Sequence, residues 1–260
     1  MSIKKTMLVR GPVLTQSGYG EHTRFVLRAM RGREDEFDIH ILPTVWGETG
    51  WLAIPDEERS WIDDCVKKAI KHLEAKLPYD VSVQVTIPNE WQRLAAINIG
   101  VTAGIETNVF PGDFIEGFNR MDLNLVSSNH SKQVALKTSF EKVDSRTKQK
   151  IGDTKCTKPV EVLFEGLDLS KYLKNPKKSG ILDDIKEEFC FLYTGHWLPG
   201  EFGEDRKNTG LMIETFLETF KGSGKNKPAL IVKTNHSNYS LLDREEILTK
   251  INSIRTNING

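Results

Sequence analysis

No stretch of this sequence approaches the roughly 18 consecutive apolar residues that a membrane-spanning helix requires, so no transmembrane segment is expected. Cysteine is scarce: Cys65, Cys156 and Cys190 are widely spaced, and the odd count leaves one unpaired under any disulfide scheme. This fits a reducing, cytoplasmic setting. CxxC, HxxxH and HExxH spacings are all missing, so no protein-held metal is expected. Nor is there an excess of charge of one sign. The 36 Lys plus Arg balance 36 Asp plus Glu, which removes any global field favouring nucleic acid or an anionic membrane. Solenoid repeats, low-complexity tracts and a Walker-type GxxxxGK[ST] loop are absent as well. The first residues, MSIKKTMLVRGPVL, carry two lysines but only a short apolar run before Gly-Pro, with no small-residue cleavage site, and read as a first strand.

What is present is an alternation. Residues 6–13 form a short apolar run ending at Gly11-Pro12, a Gly-containing loop follows, and Phe25, Val26, Ala29 and Met30 recur at helical spacing. Residues 37–44 stop at a proline like a second buried strand. The clearest amphipathic helix carries Trp61, Ile62, Cys65, Val66, Ala69, Ile70 and Leu73. Strands are then expected over 81–88, 95–104, 122–128 and 160–166, with a short helix near 111–121 and another from about 130. Strand and helix in turn predict an α/β domain with a mainly parallel sheet, Rossmann-like in form.

Between Gly166 and Phe189 the chain turns polar and lysine-rich, and a domain boundary is expected there, dividing residues 1–170, a linker at 171–187, and residues 188–260. Beyond it the rhythm restarts: strand at 189–198, a helix face of Met212, Ile213, Phe216, Leu217 and Phe220, strand at 228–234, and a helix face of Ile247, Ile251 and Ile254. A doubly wound domain needs roughly 100 to 150 residues, so the second is expected to be truncated.

The loop from Leu14 to Gly20 joins the first strand to the first helix, where an open parallel sheet places its ligand crevice. Gly18 and Gly20 allow close backbone approach, and the helix N-terminus offers N–H groups to a phosphate or a sugar hydroxyl; the same glycines also serve simply to make a turn. A dinucleotide site demands an acid at the end of the second strand. Pro43, Thr44 and Val45 stand there instead, which makes an oxidoreductase the weakest reading.

Gly11-Pro12 followed by Ser17-Gly18-Tyr19-Gly20-Glu21-His22-Thr23-Arg24 resembles the N-terminal signature of retaining glycosyltransferases of the two-Rossmann-domain GT-B fold, the group 1, family 4-like transferases. A second block is similar to the same family: Gly104-Ile105-Glu106-Thr107, Pro111, Met121-Asp122 and Val126-Ser127-Ser128, where the family's serine caps the next helix. So is a third, in VLFEGLDLSKY and in TGHW with Arg206-Lys207-Asn208, followed by MIETFLETF and ALIVKT. The family's Glu-x7-Glu segment is not found after residue 235.

The resemblance implies an acceptor-side first domain, a donor-binding second domain, and sugar transfer from a nucleoside-diphosphate sugar in carbohydrate biosynthesis, with retention and without a metal. Gly18, Tyr19 and Gly20 would face donor or phosphate, and Arg206, Lys207 and Lys233 would neutralise the leaving diphosphate. Glu106 is either an acceptor-positioning acid or a solvated strand-end residue, and His22 either hydrogen-bonds a sugar or faces solvent. Tyr19 either stacks on a ring or closes its loop. His130 reads as a capping-region residue, Arg206 and Lys207 either bind phosphate or pair with Glu204-Asp205, and Lys233 as a buried cation. The acceptor class stays open among carbohydrate, lipid-linked and protein hydroxyls, with no nucleic acid partner expected. The alternative is a nucleotide- or sugar-binding module without turnover.

Overall fold

The computed structural model describes residues 4–167, 169, 180–197, 205, 207–224, 227–236 and 240–259. The chain divides into two compact units, Met1–Gly47 with Trp51–Asp168, and Glu48–Gly50 with Leu169–Gly260.

The first unit is an α/β layer structure. Its strands are β1 (Lys5–Gly11), β2 (Phe37–Pro43), β3 (Tyr79–Val85), β4 (Ala95–Thr102), β5 (Leu123–Val126) and β8 (Val160–Val162), joined in one sheet of order β2-β1-β3-β4-β5-β8. Every pairing in that sheet is parallel. Around it lie α1 (Gly18–Arg31), α2 (Glu57–Glu74), α3 (Gly112–Arg120) and α4 (Asn129–Lys137). This is a Rossmann-like arrangement. The run Leu8, Val9, Ile39, Ile41, Val85 is at most 2% exposed, and burial of side chains of this size contributes about 1.5–3 kcal/mol each.

Both faces of a parallel sheet are covered, so its polar residues need internal partners. Ser82, Gln84 and Asn98 are fully buried. Gln84 donates to the carbonyl of Gln92 (2.5 Å) and accepts from its N–H (3.1 Å), while Ser82 donates to Asn98 Oδ1 (2.9 Å). On α2 the apolar stripe is narrower than its spacing suggests: Ile62, Cys65 and Ala69 are buried, whereas Ile70 and Leu73 are about half exposed.

Residues 138–159 hold an element the sequence reading did not contain, an antiparallel hairpin of β6 (Ser139–Val143) and β7 (Lys150–Lys155) between α4 and β8. The second unit contains β9 (Cys190–His196), α5 (Thr209–Phe220), β10 (Ala229–Asn235) and α6 (Leu241–Asn259), with β9 and β10 paired in parallel. Among its described residues the buried apolar cluster is Trp197, Ile213, Ile247 and Ile254. None of the described helices is long and apolar enough to cross a membrane.

Candidate functional site

The connection leaving β1 runs to β2 on one side, and the connection leaving β3 runs to β4 on the other. The strand order therefore reverses between β1 and β3, and the carboxyl ends of these strands are where an open α/β sheet places its ligands. The loop after β1 is built to hold the start of α1 there. Thr15 Oγ1 donates to the carbonyl of Pro12 (2.9 Å), and Ser17, in extended conformation, caps the helix by accepting from the N–H of Gly20 (3.0 Å). Arg24, only 6% exposed, donates through Nη1 to the carbonyls of Val13 (2.7 Å) and Thr15 (3.0 Å). Its other edge meets Glu21 Oε2 at 2.8 and 3.0 Å. Burial works to raise the Glu21 carboxyl, but hydrogen bonds from Arg28 and Arg24 outweigh it and hold it below the ordinary range.

The two glycines of this turn differ. A Cβ on Gly20 would lie 2.2 Å from the carbonyl oxygen of Thr15, so that glycine is required by packing. A Cβ on Gly18 would meet nothing within 4 Å, and its φ is not positive. The cap uses the N–H of Gly20, and the N–H of Glu21 bonds to the carbonyl of Ser17. Gly18 and Tyr19 thus supply the outward N–H groups of the first turn.

Tyr19 closes the loop. Its hydroxyl is 2.8 Å from Thr102 Oγ1 and accepts from the N–H of Ala103 (3.2 Å), which ties α1 to the end of β4. Burial raises its proton affinity, so it remains a phenol. Its ring lies 4.4 Å from that of Trp46, and the segment after Trp46 returns to the loop through Leu52, whose N–H donates to the carbonyl of Leu14 (2.8 Å).

His22 is the fifth residue of α1 and is 7% exposed, rather than solvent-facing. Its Nδ1 lies 3.2 Å from Glu165 Oε1. The contact is an ion pair only when the ring is protonated, and Nδ1 is sealed from solvent with no hydrogen-bond partner. Burial lowers the proton affinity of His22 and Glu165 opposes it; burial prevails, so the imidazole is neutral at pH 7.

Next to this, Gly104 takes a φ of +88°, and a Cβ there would lie 2.1 Å from Ser131 Oγ. Ser127 Oγ donates to the carbonyl of Ala103 (2.5 Å), and Ser128 caps α4 by accepting from the N–H of Ser131 (3.1 Å). Glu106 is exposed, in a bend beyond β4. His130, also exposed, is 3.2 Å through Nε2 from the carbonyl of Thr107. The fold thus gathers Gly18, Tyr19, Gly20 and His22 at one helix start.

No family model matches the chain, and no curated protein matches it.

In the second unit Arg206 lies outside the described residues. Lys207 is exposed beside Asn208, whose φ is +49° at the start of α5. Asp205 is 3% exposed and accepts from the N–H of Thr209 (3.0 and 3.1 Å) and from its hydroxyl (3.1 Å), a helix-capping role. Lys233 is exposed in β10, opposite Thr194 of β9, where burial was expected. In a sheet of two described strands, residues of alternate parity reach solvent even inside an apolar run. Among the described residues no group of three or more His, Cys, Asp or Glu side chains is placed to hold a metal.

Arg24, Thr102 and Glu165 carry much of this geometry and were not singled out from the sequence. Arg24 was visible as an internal helix cation beside a Gly-rich loop. Glu165 had no local signal, because its partner lies in a remote element.

Proposed function

We propose that this chain is a glycosyltransferase of the GT-B type, retaining and metal-independent, transferring a sugar from a nucleoside-diphosphate sugar to a hydroxyl acceptor. The observation that supports it most is the start of α1. At the sheet's order reversal, a serine-capped helix presents Gly18, a glycine demanded neither by φ nor by internal packing, beside a neutral buried imidazole. A backbone left bare where nothing inside the protein needs it suits close approach by a ligand, and the N–H groups of Gly18 and Tyr19 favour an anionic or electron-rich group. In this reading His22 accepts a hydrogen bond from an acceptor hydroxyl, and Glu165 offsets the charge if the ring takes the proton. Glu106 would position the acceptor from the neighbouring loop. Lys207 and Lys233, with Arg206, would hold the donor diphosphate by the resemblance given above.

The test is a thermal-shift and calorimetric titration with UDP, GDP, ADP and their common sugars, in EDTA. A ligand at 100 times its dissociation constant adds about 2.7 kcal/mol to stability, several degrees in Tm. Binding to one nucleotide class, weakened at least tenfold by Lys207→Ala or Lys233→Ala, is the expected result. No shift with any nucleotide would overturn the reading. A binding module without turnover is the second reading, favoured by the small described core of the second unit; nucleotide binding without sugar release or transfer would select it.

A further inference from the structure

We propose that the β6–β7 hairpin is a contact surface for anionic lipid bilayers. It is inserted between α4 and β8, where the parallel sheet needs no strand, and every residue of β6 is exposed. From Lys137 to Lys158 there are seven Lys or Arg and three acids, a surplus of four positive charges in a chain whose net charge is zero.

The hairpin has an inner and an outer face. Phe140 packs toward Gly112 at the start of α3, and Lys142 pairs with Glu116 (3.2 Å) of that helix. At a register shift after Lys142, Val143 stands opposite Lys150 and Ile151 is left unpaired, as in a β-bulge. Val143 is 51% exposed and Ile151 62%. Two of the nearby acids, Glu141 (3.0 Å) and Asp153 (2.9 Å), share the single cation of Lys150.

The tip is preformed. Asp144 Oδ1 accepts from the N–H groups of Arg146 (2.9 Å) and Thr147 (2.7 Å), and Lys148 takes a φ of +56°. Arg146 and Lys148 are thus carried on an ordered turn between two exposed aliphatic side chains. Cations around a small apolar wedge match the headgroup boundary of an anionic leaflet, where basic residues bind phosphates and aliphatics enter the acyl edge. A single-stranded nucleic acid would be served by aromatic stacking platforms, and the tip residues 143–151 contain no aromatic ring.

The inference is independent of sugar transfer. The experiment is co-sedimentation of the full chain with phosphatidylcholine vesicles, with and without 30% phosphatidylglycerol, at low and high salt. The chain should pellet with the anionic vesicles alone and be released by salt. Arg146→Glu with Lys148→Glu should reduce partitioning by 25-fold or more, at about fivefold per cation, whereas Lys67→Glu with Lys71→Glu should not. Val143→Ser with Ile151→Ser should weaken binding while keeping its salt dependence. Circular dichroism melts of these surface variants should match the parent. Absence of pelleting, equal pelleting with neutral vesicles, undiminished binding by the Arg146/Lys148 variant, or tighter binding to a single-stranded oligonucleotide would each overturn the proposal.

Discussion

At the residue scale, two neighbouring glycines serve opposite purposes. Gly20→Ala drives a methyl into the carbonyl of Thr15 and should cost about 1–3 kcal/mol, as overpacking does. Gly18→Ala has open space and a helical backbone, so urea melts should show no loss and a gain of up to about 1 kcal/mol. If Gly18 faces a ligand, Gly18→Val should cut nucleotide or acceptor binding while leaving the melt near the parent's. Equal losses of stability in the Gly18 and Gly20 alanine variants would refute the distinction. Their separate roles could not be read from Gly-x-Gly, because only the contacts around each Cα tell them apart.

A second residue-level prediction concerns pH. His40 of β2 is 4% exposed, with Nε2 3.0 Å from Asp38 and its ring 4.7 Å from His72 of α2 and 5.3 Å from Tyr79 of β3. Lys68 of α2 bridges Asp38 at 2.6 Å. Burial lowers the proton affinity of His40, Asp38 opposes it, and His72 and Lys68 add to the lowering. A depressed folded-state pKa means that the neutral ring is favoured by folding. Its contribution is therefore complete above the unfolded pKa of about 6.5 and lost as pH falls through the folded one. His22 acts in the same direction. The urea midpoint should fall between pH 7 and pH 5, before carboxylates such as Asp38 and Glu21, whose affinities are lowered, begin to protonate. His40→Leu should flatten that slope; an unchanged slope in a variant lacking both His22 and His40 would refute the assignment.

At the element scale, α1 is held by side chains more than by its propensity. Arg24→Met would strip the buried carbonyls of Val13 and Thr15 of their shared donor and loosen the half-exposed Glu21, at a cost of about 1–3 kcal/mol. Tyr19→Phe would leave the N–H of Ala103 and the hydroxyl of Thr102 without that partner, about 1–3 kcal/mol. Both should appear in chemical melts. Hydrogen exchange should localise the Arg24 effect to residues 13–20, and a uniform rise in exchange across the unit would count against a local clamp.

Elements with a buried face were legible in the sequence. The core strands ran apolar, and the stripe of α2 had helical period through Ile62, Cys65 and Ala69. The β6–β7 hairpin was not legible, because an all-exposed pair has no hydrophobic alternation to display. Lys233 misled for a related reason: an apolar strand was taken to be covered on both faces. The serine cap of α4 was expected from the resemblance of Val126-Ser127-Ser128 alone, and Ser128 does cap that helix. The meeting of His22 with Glu165 depends on the return of the chain after β8, which no local pattern encodes.

At the scale of the whole molecule, the two units differ in the core each can count on. The first contains buried clusters of fourteen and nine residues, and the second has four among the described residues. The two described strands of the second unit, with the core described there, would be marginal on their own. Unfolding should therefore proceed in two steps, with amides of β9 and β10 exchanging well before those of β1 and β3. A single coincident transition by fluorescence, circular dichroism and exchange would show instead that the units are energetically one.

The place of β1 in the sheet also has a consequence in time. β1 leaves the ribosome well before its second neighbour, yet it is an interior strand, hydrogen-bonded to β2 and to β3 at once, with Met7 opposite Val81. At roughly 5–20 residues synthesised per second, β1 and β2 wait several seconds as a two-stranded ribbon with an open apolar edge. Until Val85 emerges, that apolar edge is unshielded, and the chain's yield in the cell depends on what attends it during that interval.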